Sequence, residues 1–305
     1  MLEIVHIHNE PVEVFTYITA AQGSQGIEYK QLPVYSGTIK GLPETIDAII
    51  IASDLQGVTP HNRSLLKGEA NSPEDENLIA KLHSKTEDTQ HYMQSYRLLG
   101  EDLAESLELL LQIEWPDIQQ EKVLTLLCGD LYADPLQRGA SGSPLSVWEA
   151  FRQKFRYMTA VSGNHDIFTD EDMQCLNTCP EAVWMLKPQL LDIANIHIAG
   201  LGGIIGRTDK PNRMAAPEFL KHMAHLLKKT PDIMLMHQGP DDPVHNRPGA
   251  PAVRLELEQH DPVLLCCGHV GWQTHDHQEH YATLPNGTQI LNTDGKVFVF
   301  TSTPK

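Results

Sequence analysis

The chain has 305 residues, 41% of them hydrophobic, and a formal net charge of −17 from 40 acidic against 23 basic side chains. That field repels polyanions and no basic run offsets it, which argues against a nucleic-acid partner; no apolar run reaches the roughly 18–20 residues of a membrane helix. The start, Met1-Leu2-Glu3-Ile4-Val5-His6, lacks the basic-then-apolar pattern of a secretory signal, and five unpatterned cysteines demand no oxidising compartment, so a cytoplasmic setting is expected.

Residues Glu3–His8, Val12–Thr19 and Pro33–Ile39 read as strands, forming a small β extension over 1–47. Ala48–Ala52 is an unbroken apolar run, the pattern of a strand buried on both faces. The stretch 60–120 reads as a helical insertion. Its first part, 68–96, is polar, with Pro73, Glu74, Asp75 and Glu76 marking a loop or helix start; Leu99, Leu103, Leu107, Leu110 and Ile113 then recur at helical spacing. Pro116 stops that helix near Trp115.

Val123–Leu127 predicts the next buried strand, and Val147–Phe155 a helix with Trp148, Phe151 and Phe155 on one face. Strands follow at Tyr157–Val161, Ile193–Gly200, Ile233–Met236 and Val263–Cys267. Helices are expected between them at Pro217–Lys229 and Ala252–Gln259. Gln289–Asn292 and Lys296–Thr301 read as a closing hairpin around Asp294-Gly295. This alternation predicts an α/β fold, with 1–305 as one domain.

Five apolar runs end in oxygen or imidazole donors. They lead into Ser53-Asp54-Leu55-Gln56-Gly57, Cys128-Gly129-Asp130, Gly163-Asn164-His165-Asp166, Met236-His237-Gln238 and Gly268-His269-Val270-Gly271. A loop at a strand end is a good mount for chemistry, because a rigid sheet holds it while its side chains share a cleft. Singly, each motif is an ordinary turn or a satisfied histidine. All five in this order resemble the calcineurin-like metallophosphoesterase superfamily.

The resemblance implies a two-sheet α/β/β/α sandwich. It also implies metal-dependent hydrolysis of a phosphate ester, mono- or diester, by a metal-activated water, with two divalent ions about 3.5–4 Å apart. Carried onto this chain, Asp54 is a ligand of the first metal and Asp130 bridges both, while Asn164, His237 and His269 complete the second. His165 then contacts the phosphoryl group or protonates the leaving oxygen, and Asp166 orients its imidazole.

Two positions depart from the family pattern. Gln56 stands where Asp-x-His has its histidine, and Gly271 where Gly-His-x-His has its second. With Gln56 as a carbonyl ligand the first site becomes oxygen-rich and weaker, which favours manganese, with iron, zinc or magnesium as alternatives. The same departures motivate a rival reading, a non-catalytic scaffold of this fold that binds a protein partner. His275, Asp276, His277 and His280 follow Gly271 and are candidates to replace the imidazole; His6 and His8 share one strand face and read as surface residues. Arg138 and Arg207 are candidates for binding the small phosphate-ester substrate, and Asn292 and Asp294 for hydrogen bonding into the cleft.

Overall fold

The structure, a computed structural model, describes residues 2–21, 26–60, 96–272 and 280–302. The expectations at 68–95 and at His275, Asp276 and His277 therefore lie outside the described residues.

In chain order the strands are β1 (Glu3–Ile7), β2 (Glu13–Ala20), β3 (Ile27–Lys40), β4 (Ala48–Ala52), β5 (Val58–Pro60) and β6 (Tyr96–Leu98), followed by helix α1 (Leu99–Glu114). Next come β7 (Val123–Leu127), α2 (Leu145–Lys154), β8 (Tyr157–Val161), α3 (Asp170–Cys175), β9 (Ala182–Met185), β10 (Gln189–Ile193), β11 (Ile196–Leu201) and the short pair β12 (Ile204–Ile205) and β13 (Arg213–Met214). The chain closes with α4 (Ala216–Leu227), β14 (Ile233–Gln238), α5 (Pro251–Leu257), β15 (Leu264–Gly268), β16 (Tyr281–Thr283), β17 (Gln289–Asn292) and β18 (Val297–Ser302).

Two sheets carry the architecture. The first runs β6-β5-β2-β3-β18-β4-β7-β8-β9, with β1 also paired to β3; the second runs β10-β11-β14-β15-β17-β16. Strands β4, β7, β8 and β9 are parallel, as are β11, β14, β15 and β17. Strict alternation along β4 shows why two layers form on either side of it. Ala48, Ile50 and Ala52 face Leu103 and Leu107 of α1 and Trp148 and Phe151 of α2, whereas Ile49 and Ile51 meet Ile233, Leu235 and Leu264 of the second sheet. The outer face of that sheet packs Met234, Met236 and Leu265 on Phe219 and Met223 of α4. The result is the expected α/β/β/α sandwich.

The N-terminal strands are part of the first sheet. β3 pairs in parallel with β18, and β5 and β6 pair antiparallel across Pro60 and Tyr96, where the chain leaves and re-enters the described residues. Among the described residues, no helix is long and apolar enough to cross a membrane.

Three sequence expectations change. The expected strand Ile193–Gly200 starts at a turn: Ile193 ends β10, Ile196 begins β11, and the two form a hairpin whose turn residues, Ala194 and Asn195, both have positive φ (53° and 68°), as a two-residue turn with matching twist requires. Ile113 is 64% exposed near the end of α1, where Leu111 takes the buried position. The closing hairpin does not exist. β17 pairs with β15 and β16 in the second sheet, while β18 inserts between β3 and β4 in the first. Val297, Phe298, Val299 and Phe300 are all buried, so β18 needs cover on both faces, which a terminal hairpin cannot supply. The Asp294-Gly295 turn therefore crosses between sheets.

Candidate metal centre

Parallel strands bring their C-terminal ends to one edge of the sandwich, the usual place for a ligand cleft in an α/β fold. Asp54 follows β4, Asp130 follows β7, Asn164 and His165 follow β8, His237 ends β14 and His269 follows β15. Three of these positions have left-handed backbone: Asp54 (φ 53°), Asp130 (φ 54°) and His269 (φ 72°). Such a conformation costs a non-glycine residue on the order of 1 kcal/mol, and its clustering at one rim is typical of a functional site.

The loops approach so closely that side chains would block them. A Cβ at Gly129, itself at φ 92°, would sit 2.3 Å from the Gly163 nitrogen, and one at Gly163 would sit 2.0 Å from Asp130 Oδ1. Asp166 ties these loops together. Its buried carboxylate accepts the backbone N–H of Asp130 (2.7 Å), Leu131 (2.9 Å) and Gly163 (2.8 Å). Asn212 reinforces the turn from β13's approach by donating Nδ2 to the carbonyls of Gly163 (3.0 Å) and Asp166 (2.5 Å). This corrects one expectation. Asp166 does not hold the His165 imidazole, because both of its oxygens are committed to backbone; Ser141 Oγ meets His165 Nδ1 at 3.1 Å instead.

Asp130 stands at the centre. Its Oδ1 accepts the His165 backbone N–H at 2.8 Å, and its Oδ2 lies 3.2 Å from Gln56 Nε2 and 3.3 Å from His237 Nε2. Gln56 was expected to offer its carbonyl oxygen as a ligand; here its amide nitrogen is turned to the carboxylate, so it serves as a donor to Asp130. His237 Nδ1 lies 2.8 Å from the Cys128 carbonyl, an acceptor only, so Nδ1 carries the proton and Nε2 is the nitrogen presented to the cleft. Donor atoms of Asp130, His237 and His269 all lie within 4.8 Å of one another.

The electrostatics describe a site short of positive charge. Burial, then the neighbouring Asp294 carboxylate, raises the Asp54 pKa well above the usual carboxylate range. Burial acts on Asp130 in the same direction, but the charge and proximity of His237 outweigh it and leave Asp130 lowered. Burial opposes protonation of His237, yet Asp130 and Asp54 push its pKa up to about 10. His269 moves the other way, to about 4, through burial and the charge of His237.

A divalent cation fits this donor set. Asn164 Oδ1 and His237 Nε2 are both buried without a hydrogen-bond partner, a condition that costs free energy unless a ligand satisfies it. With Asp130 and His269 they make a mixed oxygen and imidazole set suited to manganese, iron or zinc. Asp54, beside Ser53 Oγ and accepting the His269 backbone N–H at 3.0 Å, sits next to this set with Asp294.

The adjoining cleft, about 680 Å³, is lined by His165, Asp54, Gln56 and Asn164 together with Tyr132, Arg138, Lys30 and Lys296. Arg138 thus reaches the cleft as expected, whereas Arg207 lies away from it in an exposed fork on Asp209 (3.0 and 2.6 Å). His280 is buried between Tyr35 and Phe298, with ring centroids at 4.7 and 5.5 Å, and does not stand in for an imidazole at Gly271. His6 and His8 pack edge to face and are not among the residues that line the cleft. Sequence reading missed Ser141 and Asn212, whose roles depend on contacts across the fold, and undervalued Asp294. A lone acidic residue in a turn carries no signal of its own.

The family model of the calcineurin-like phosphoesterases matches residues 48–272. No curated protein matches significantly. Among solved structures, a hypothetical protein from Thermus thermophilus is 12% identical with a TM-score of 0.42, covering 82% of this chain and 76% of that one. A protein of unknown function from Aquifex aeolicus is 10% identical with a TM-score of 0.31, covering 83% and 95%. The NAD nucleotidase of Haemophilus influenzae is 13% identical with a TM-score of 0.36, covering 81% of this chain and 44% of its own. The family match spans most of the chain and includes the five strand-end motifs; this chain belongs to the calcineurin-like phosphoesterase family.

Proposed function

We propose that the protein hydrolyses a small phosphate ester, mono- or diester, with divalent metal ions held by Asp54, Asp130, Asn164, His237 and His269. The observation that supports this most is the pair of buried, partnerless atoms, Asn164 Oδ1 and His237 Nε2, beside Asp130 at the edge of a cleft that His165 lines. Bound divalent ions supply Lewis acidity, lowering the pKa of a water and neutralising charge on the phosphoryl oxygens.

The chain's own residues account for the rest. Ser141 holds His165 through Nδ1, which leaves Nε2 to meet a phosphoryl or leaving-group oxygen and deliver a proton to it. Asp166 fixes the loops of Asp130 and His165 in one register, so the donor and the carboxylate keep their separation. Lys30, Arg138 and Lys296 line the cleft and offer cationic partners to an anionic ester against the −17 of the whole chain.

A small ester suits these dimensions and that charge better than a polyanion does. Manganese is the favoured ion and the cytoplasm the favoured setting. The test is metal content of the purified protein, then manganese-dependent hydrolysis of a panel of phosphate mono- and diesters, with Asp130→Asn and His165→Ala as controls. Metal binding with turnover lost in both variants supports the reading. A protein that binds no metal and hydrolyses nothing in the panel is the scaffold instead.

A further inference from the structure

Of the imidazoles gathered at the metal centre, His237 lies in the regular strand β14, whereas His269 has left-handed backbone at φ 72°. A residue with a side chain keeps that conformation only where its surroundings over-determine it. Two of the holds lie within the site: Asp54 Oδ2 accepts the His269 N–H at 3.0 Å, and Asn292 Nδ2 donates to the Val270 carbonyl at 2.8 Å. The third comes from another loop. Trp272, three positions after His269, is fully buried; its indole N–H donates to the Pro248 carbonyl at 2.9 Å, and the Arg247 guanidinium stands 5.0 Å from its ring centroid.

Both of these partners belong to the loop between β14 and α5, which starts where His237 and Gln238 end the strand. That loop is closed on itself. Asp242 and Arg247 exchange backbone hydrogen bonds at 3.1 and 2.8 Å, and the Ala250 N–H donates to the Gly239 carbonyl at 3.0 Å. A Cβ on Gly249 would lie 2.0 Å from the Pro240 oxygen, so the two ends of the loop touch. Arg247 is 3% exposed, and its Nη1 donates to the Tyr281 carbonyl at 2.8 Å and to the buried Asp242 Oδ2 at 3.3 Å. A planar guanidinium lays its face on an aromatic ring while its edge keeps such acceptors; an ammonium has no face to offer. Its charge would be costly to bury without the Asp242 carboxylate.

We infer that Arg247 is a positioning residue. Through Trp272 it pins the turn at 269–272, keeps His269 in its left-handed conformation, and ties the placing of that imidazole to the strand end that carries His237. Arg247 is not among the residues that line the cleft, so its effect on a bound ion passes through His269. This rests on the reading of the site as a metal centre.

The test compares the full-length wild type with Trp272→Phe, which keeps a ring and loses the indole N–H, and Arg247→Lys, which keeps the charge and loses the planar face. Two quantities are measured: hydrogen exchange of the metal-free protein by peptide mass analysis, and manganese binding by calorimetry. In both variants the amides of segment 264–272 should exchange at least about tenfold faster, while those of segment 233–238 keep their rate. One manganese equivalent should weaken by about tenfold. A loop that merely supports the fold would speed exchange throughout the chain. If Arg247→Lys does not fold, Trp272→Phe decides alone. Either quantity unchanged, or exchange faster throughout, overturns the assignment while the metal-centre reading stands. A wild type that binds no manganese overturns both.

Discussion

The two halves of the metal centre differ in how they are built. The half around Asn164, His237 and His269 takes its donors from the ends of parallel strands, each delivered by its own apolar run. The half around Asp54 and Asp294 depends on a crossover, in which β17 ends in one sheet and β18 begins in the other. The first half carries imidazoles and buried partnerless atoms; the second carries Asp54, whose pKa burial and then the Asp294 carboxylate raise well above the usual range. On the proposed two-metal reading, nitrogen donors make the tighter site and oxygen donors the more exchangeable one, with Asp130 common to both.

That shared position gives the largest expected effect. Asp130→Asn removes the charge that holds both halves, and kcat for the best ester in the panel should fall by about 10³-fold or more, with both metal equivalents weakened. If metal content is retained in full and only KM changes, Asp130 does not join the two halves.

Next in size is a stability effect. Asp166→Ala leaves the backbone N–H groups of Asp130, Leu131 and Gly163 without their acceptor, in a buried region where each such loss matters. Unfolding in urea should show a loss of about 3 kcal/mol. An orienting role for the His165 ring alone would predict near-normal stability and reduced activity, so the two readings separate cleanly.

Gln56→Ala probes the shared carboxylate more gently. The amide donates to Asp130 Oδ2 at 3.2 Å, the carboxylate shared by both halves, so its removal should weaken both manganese equivalents by up to about tenfold. Weakening of one equivalent alone would show that Gln56 acts on the oxygen half and not through the shared carboxylate.

How much of this was legible in the sequence follows from the same contrast. Asp54, Asp130, Asn164, His165, His237 and His269 could be read because each sits where an apolar run breaks into a turn, a signal local to the chain. Asp294 could not be ranked, because the runs on either side of it look like the arms of a hairpin. Only tertiary burial of both faces of β18 sends them to different sheets. Asp166 was placed beside the wrong partner for a related reason: its acceptors are engaged by the loop after β7, distant in sequence. The turn at Ala194-Asn195 was missed because alanine is a poor marker of positive φ.

The last prediction uses pH to follow the imidazole that was a candidate to join the site. His280 is buried against Tyr35 and Phe298, and burial, with Lys296 and Arg247 nearby, lowers its pKa to about 3. In the unfolded chain a histidine titrates near 6.5, so between pH 3 and 6.5 the unfolded state binds the extra proton and stability rises with pH. The contribution of neutral His280 is therefore complete above about pH 6.5 and is lost as pH falls toward 3. Asp166 works in the opposite sense: burial and the charge of Asp130 raise its pKa to about 6, so its contribution falls as pH rises between about 4 and 6. Wild type alone would show the two partly cancelling. Urea unfolding of wild type and His280→Asn across this range isolates the first term, and the difference between them should shrink by on the order of 2 kcal/mol from pH 7 to pH 4. A difference that stays constant with pH would mean that His280 titrates in the fold as it does in the unfolded chain.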